Sequence, residues 1–331
     1  MEQRTLGDSG LLVTPIGLGL AALGRPGYIT LGHADDLQRH YEPAAMAAQT
    51  VALCDAAWAA GIRYFDVARS YGRAEEFLGS WLRARAHDRK ALTVGSKWGY
   101  TYTAGWLPDA AVHEVKEHSL ERLRSQWVES QAELGTYLGL YQIHSATLES
   151  GVLERPEVLA ELARIKAGGV AIGLSVSGAR QAATISRAIP IRLEGRRLFD
   201  VVQATWNLLE PSAGSALAEA HAAGMGVVVK EAVANGRLTP RNLEPTFAEQ
   251  RVLLMREAAR LGCSLDALAL AAALAQPWSG VVLSGAATVA QLHANLAVLM
   301  VSWDEQAAQT LALLAEPAER YWQTRAALPW N

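Results

Sequence analysis

The chain has little that would cross-link it, hold a metal or carry it into a membrane. Only two cysteines occur in 331 residues, Cys54 and Cys263. They lie far apart with no Cys or His at ligand spacing, which excludes a disulfide framework and argues against zinc, so no metal is expected. Both read as small buried thiols in a reducing compartment. Positive charge is not in surplus either, since 30 Lys and Arg face 33 Asp and Glu for a formal net charge of -3. A grip on a phosphate backbone needs the opposite balance, so nucleic acid is not an expected partner. No run approaches the roughly 20 apolar residues of a membrane span, and the opening residues lack the apolar stretch of a secretion signal. The expectation is a soluble, cytoplasmic protein without membrane contact.

What is abundant is apolar mass. Half of the residues are hydrophobic, enough for one large core and a single domain over residues 1–331. Short β-rich runs at residues 13–20, 64–68, 92–98, 138–145, 171–177, 199–206, 226–233 and 280–286 alternate with helical spacing at 46–60, 156–167, 216–223 and 289–300. Most of the β-rich runs are continuous in Val, Ile and Leu, as strands covered on both faces should be. Gly61, Gly168 and Gly224 each follow a helical run and precede a strand, where a left-handed cap is expected. Eight strand–helix units in this length predict an α/β fold, a closed (β/α)8 TIM barrel with extended loops at its C-terminal face. The opening Leu6-Gly7-Asp8-Ser9-Gly10 predicts an N-terminal hairpin that plugs the barrel bottom. Three stretches exceed what the barrel needs, namely 24–43, 99–110 and the tail after Asp304. The first two leave strand ends on the face where such barrels build their sites.

The densest polar stretch is Gly61-Ile-Arg-Tyr-Phe-Asp66-Val-Ala-Arg-Ser-Tyr71-Gly72. It resembles the Gly-x-Arg-x-x-Asp-x-Ala-x-x-Tyr-Gly segment of the aldo-keto reductases. That family also places a lysine at the end of the third strand and a histidine at the end of the fourth, and Lys97 and His144 stand there. The likeness continues through Gln203-Ala-Thr-Trp206-Asn207 and from Gly285 to Asn295, so it spans essentially the whole chain. The resemblance implies an NAD(P)-dependent oxidoreductase that interconverts a carbonyl compound and an alcohol, with Asp66, Tyr71, Lys97 and His144 as its catalytic group. It also implies NADP(H) or NAD(H) contacts at Ser175, Gln203, Trp206, Gly285, Thr288, Gln291 and Asn295. Where relatives often have asparagine after the fifth-strand serine, this chain has Val176.

The chemistry of the quartet stands beside the resemblance. A free phenol has a pKa near 10 and is a poor acid at neutral pH unless its anion is stabilised, which an adjacent ammonium supplies. A buried ammonium tends to lose its proton, so a carboxylate such as Asp66 is wanted beside Lys97. His144 suits a role orienting the carbonyl oxygen. No side chain donates hydride, which leaves that task to a bound dihydronicotinamide. Aromatic residues Trp98, Tyr100, Trp106 and Trp322 are candidates for a wall against a small carbonyl or sugar substrate; Tyr102, Tyr321 and Trp330 lie near them in sequence. Relatives that prefer NADP(H) commonly place a cation just after the eighth strand. Here that segment reads Gly285-Ala286-Ala287-Thr288, and no Lys or Arg occurs between Arg260 and Arg320. Arg237 and Arg241 are the remaining candidates, so both cofactors stay open.

Two other functions fit parts of the sequence. Lys230 on the seventh strand allows a Schiff-base aldolase, since barrels of this kind host them. A non-catalytic cofactor-binding subunit of a larger complex is the other, because an intact quartet does not by itself establish turnover. The sequence leaves a homo-oligomer open.

Overall fold

The computed structural model describes residues 1–331. Eight parallel strands close a barrel: β1 (Ile16–Gly19), β2 (Tyr64–Asp66), β3 (Thr93–Trp98), β4 (Leu138–Ala146), β5 (Ala171–Val176), β6 (Val201–Thr205), β7 (Gly226–Lys230) and β8 (Val281–Ser284). Sequence neighbours pair throughout, and β8 returns to β1 with Val282 opposite Ile16 and Ser284 opposite Leu18. All eight β-rich runs of the sequence are strands of this barrel. No helix is long and apolar enough to cross a membrane.

Helices cover the outside. They are α1 (Pro43–Ala59), α2 (Ala74–Arg85), α3 (Leu120–Leu134), α4 (Pro156–Ala167), α5 (Gln181–Ala188), α6 (Gly214–Ala222), α7 (Ala248–Leu261), α8 (Leu265–Leu274) and α9 (Val289–Leu296), followed by α10 (Glu305–Leu311) and α11 (Ala318–Ala326) in the tail. Gly61 and Gly224 take the expected left-handed conformation, with φ of 89° and 80°. Gly168 does not. It keeps a right-handed φ of -76°, and the left-handed turn falls one residue later at Gly169, φ 92°. A Gly–Gly pair lets the helix run one residue further before it breaks.

The main core lies between barrel and helices, and a smaller cluster fills the barrel's lower end. That second cluster contains Leu6 and Val13 together with Tyr64, Leu140, Val201, Val228 and Val281. The hairpin pairing Arg4–Thr5 with Leu12–Val13 therefore does close the bottom. Gly7, at φ 55°, lies so close to the barrel that a Cβ would collide with the Gly226 nitrogen.

At the opposite end the chain widens. The segment after β1 carries a helical turn, His33–Asp36. The segment after β3 folds into a hairpin of Tyr100–Tyr102 with Glu114–Lys116, longer than the sequence suggested. The tail returns to meet the β1 loop, where the Tyr28 amide donates to the Asn331 carbonyl at 3.2 Å.

Candidate active site

Asp66 ends β2, and Lys97 lies one residue before the end of β3; the two strands are adjacent and parallel, which brings the side chains together. Lys97 is completely buried and its Nζ donates to the Asp66 carboxylate. The same nitrogen donates to the Val67 carbonyl at 3.0 Å and lies 3.4 Å from the Tyr71 hydroxyl. Asp66 is held from its other side by the Gln203 amide at 2.9 Å and the Tyr64 hydroxyl at 3.3 Å. A buried carboxylate thus finds one cation and two neutral donors, which is what offsets its loss of water.

His144 joins them through an irregularity in its strand. The register of β4 against β5 shifts between Ile143 and Ala146, and Ser145 adopts φ 48°. Such bulges re-aim side chains at a barrel rim. The His144 ring lies edge-on to Tyr71, with centroids 5.5 Å apart, and its Nδ1 lies 3.3 Å from the Ser70 hydroxyl. Next to it, the imidazole of His118 is held near pKa 4 by burial and the Lys116 charge. A neutral His118 donates from Nε2 to the His144 carbonyl at 2.9 Å, which fixes the backbone of the bulge.

Tyr71 and His144 open onto a cleft of about 480 Å³ at the C-terminal mouth of the barrel, within the range of small-molecule sites. Burial pushes the Tyr71 phenol well above its usual value; the Asp66 charge adds to the rise and the Arg25 guanidinium opposes it. Burial, reinforced by Lys97 and Arg25, holds the His144 imidazole well below its usual value and so neutral. Lys230 lines the same cleft, donates to the Thr205 hydroxyl at 2.7 Å, and is brought down to about 8 by burial against the pull of Glu231. Burial alone would raise Glu231, yet the Arg325 and Lys230 charges hold it near 2. Glu231 has φ 57°, a conformation disfavoured for a side chain with a Cβ and often found beside functional sites.

Of the residues singled out in the sequence, Asp66, Tyr71, His144, Gln203, Gly285, Tyr100, Trp322 and Trp330 line this cleft, with Lys97 directly behind Tyr71 and Asp66. Gln291 and Asn295 line a narrower arm that continues from it. Others stand elsewhere. The Ser175 hydroxyl accepts from the Ser145 amide at 2.8 Å and is not among the residues that line the cleft, whereas Ser177 is. Trp206 packs edge-on against Trp278, centroids 5.8 Å apart, and is not among the residues that line the cleft. Thr288 is the N-cap of α9 and accepts from the Gln291 amide. Trp98 is fully buried against His118, and Trp106 anchors its loop through the Tyr41 carbonyl and Phe77. Tyr321 adds no wall either, being buried with its hydroxyl accepting from the Asn207 amide.

Sequence reasoning missed Arg25, Ser70, Glu114 and the pair Glu231–Arg325. Arg25 is only 3% exposed; it donates to the Ser70 carbonyl at 3.0 Å and to Glu114 at 2.8 Å, and its guanidinium carbon lies 5.4 Å from the Tyr71 ring centre. It pins three loops around Tyr71. No local signal marks it, because its partners are 45 and 89 residues away.

Fold and site together define a (β/α)8 barrel whose mouth holds a tyrosine backed by a buried lysine–carboxylate pair with a neutral histidine beside it. The chain matches the Aldo/keto reductase family over residues 15–315, and it belongs to that family of oxidoreductases. It is 27% identical over 321 residues to the uncharacterized oxidoreductase YqkF of Bacillus subtilis, covering 89% of this chain and 90% of that one. It is 31% identical over 154 residues to pyridoxal 4-dehydrogenase of Microbacterium luteolum, a match covering 40% of each. Among solved structures, the holo form of the aldo-keto reductase AKR11C1 from Bacillus halodurans superposes with a TM-score of 0.74 at 23% identity, over 96% of this chain and 97% of that one.

Proposed function

We propose that this chain is a nicotinamide-dependent oxidoreductase that interconverts an aldehyde or ketone and an alcohol, with Tyr71 as the general acid and base. The observation that carries the reading is the unbroken line from the Asp66 carboxylate through the Lys97 ammonium to the Tyr71 hydroxyl, ending in the cleft. The cleft also suits an extended dinucleotide. Nothing lies within 4 Å of where a Gly285 side chain would stand, and the wide arm passes into the narrow one there. Gln203, Gly285, Gln291 and Asn295 are the residues that would hold it. Such a group supplies or accepts the hydride when bound.

The remaining work belongs to the protein. A phenol kept protonated by burial retains its proton at any physiological pH. An alkoxide forming from a carbonyl is a far stronger base than a phenolate, so Tyr71 still gives it the proton. Lys97, 3.4 Å from that hydroxyl, then stabilises the phenolate left behind, and Asp66 keeps Lys97 charged. Neutral His144 orients the substrate oxygen by a hydrogen bond. Tyr100, Trp322 and Trp330 give the cleft flat walls that suit a sugar ring or an aromatic carbonyl compound. An absorbance screen of the nicotinamide at both redox levels, over aldehydes, ketones, aldoses and pyridoxal-type alcohols, tests this. Turnover with at least one of them supports the reading. Tight dinucleotide binding without turnover would make the chain a cofactor-binding subunit.

One observation favours a second reading, a Schiff-base enzyme. Lys230 faces the cleft with a pKa near 8, so part of it is a free amine at neutral pH. Inactivation by borohydride in the presence of a carbonyl substrate, lost in Lys230→Met, would establish it.

A further inference from the structure

The narrow arm of the cleft carries information about which dinucleotide it takes. It joins the wide arm through five shared lining residues, Ala22, Thr30, Val233, Leu283 and Gly285, so a ligand whose reactive ring rests against Tyr71 reaches this arm with its far end. Its ionisable lining is one cation against two carboxylates: Arg241, Asp36 and Asp266. The cation is not free. Arg241 makes a two-pronged ion pair with Asp36, one contact at 2.7 Å, and donates to the Leu31 carbonyl at 2.9 Å. The Asp36 side chain is only 9% exposed and also accepts from the Gln291 amide at 2.8 Å. Arg237, the other basic residue of the β7 loop, is already paired with Glu316. The segment after β8, which forms the other wall of the arm, contributes no cation, since no Lys or Arg occurs between Arg260 and Arg320.

We infer that Asp36 is a specificity-determining residue that makes this arm select an adenine dinucleotide with a free ribose 2'-hydroxyl, NAD(H), over one bearing a 2'-phosphate. The inference rests on the proposed nicotinamide-dependent function. A phosphate entering this arm adds up to two negative charges to a lining that is already negative in balance, and must take Arg241 from a carboxylate that is anchored by Gln291. A ribose diol meets the opposite situation. Its hydroxyls donate, and the lone pairs of Asp36 not used by Arg241 and Gln291 accept. Asp36 thus attracts one ligand and repels the other, and does so from the β1 loop rather than from the segment after β8.

The test is equilibrium binding to the intact wild-type chain, read by nicotinamide fluorescence or calorimetry with NADH and NADPH, and by competition with 5'-AMP and 2',5'-ADP. The expected result is tighter binding of NADH than NADPH by at least about 10-fold, with the two fragments ranked the same way. Asp36→Asn should narrow the ratio by at least about 10-fold, and Asp36→Ser should do likewise if the first variant folds poorly. Equal or tighter binding of NADPH by the wild type overturns the inference, as does an unchanged ratio in a folded variant. If neither dinucleotide binds, the nicotinamide-dependent function itself is wrong, a distinct outcome from binding with the opposite preference.

Discussion

Removing either member of the Asp66–Lys97 pair should cost far more than removing both. Both side chains are essentially out of water, at 3% and 0% exposure. At an effective dielectric of about 20 and a separation of about 3 Å, the attraction lost in Lys97→Met is roughly 5 kcal/mol. Asp66 keeps the Gln203 and Tyr64 donors, which lowers the net penalty. Together these set the destabilisation of Lys97→Met at about 3 to 4 kcal/mol, in line with other broken buried pairs. Asp66→Asn strands an ammonium that retains only the Val67 carbonyl and Tyr71 hydroxyl, and should cost a similar amount.

In the double variant no charge is left, and the amide introduced by Asp66→Asn can still accept from Gln203 and Tyr64. Its cost should be only about 1 to 2 kcal/mol, giving a coupling of about 3 kcal/mol or more. Urea titration of the four proteins at pH 7 reads these costs. Additive single costs, or a double variant less stable than either single, would refute the account. Activity should be lost in all three variants, which separates the catalytic use of the pair from its structural one.

Tyr71→Phe should lower kcat/KM by at least about 100-fold while leaving dinucleotide affinity nearly unchanged in a fluorescence titration; retention of most activity would remove Tyr71 from the chemistry. His33 and His118 are buried and held near pKa 4 mainly by loss of water, against about 6.5 in the unfolded chain. Because their folded values are depressed, the stability they protect is present above about 6.5 and is lost as pH falls toward 4. At pH 5.5 the two together should cost roughly 2.5 kcal/mol, visible as a lower urea midpoint than at pH 7; equal midpoints would contradict their burial as neutral groups. Lys230, with a pKa near 8, should give an inflection near that pH in substrate or dinucleotide affinity, and Lys230→Met should abolish it.

Much of this protein follows from local pattern. Buried parallel strands must be continuous in apolar residues, so all eight were legible, as was the hairpin whose Gly7 and Gly10 permit a turn. Asp66, Tyr71, Lys97 and His144 stood out through their resemblance to the aldo-keto reductase motifs, and they meet because each sits at or just past a strand end, where strand ends converge at the barrel mouth. What the sequence left undecided was where side chains point beyond those ends. Trp206 follows Gln203 closely in sequence, yet one packs against Trp278 and the other donates to Asp66. Ser175 is taken by the bulge at Ser145, an irregularity with no sequence marker. Arg25 reaches Ser70, Asp36 reaches Arg241 and Arg325 reaches Glu231 across separations of 45, 205 and 94 residues. A charge has no direction in sequence, and which opposite charge it meets is decided only when loops from different strands are packed around one cleft. The barrel was thus legible from periodicity and the four polar residues at its mouth from a family resemblance, whereas the electrostatic character of the cleft came from contacts that only the closed fold creates.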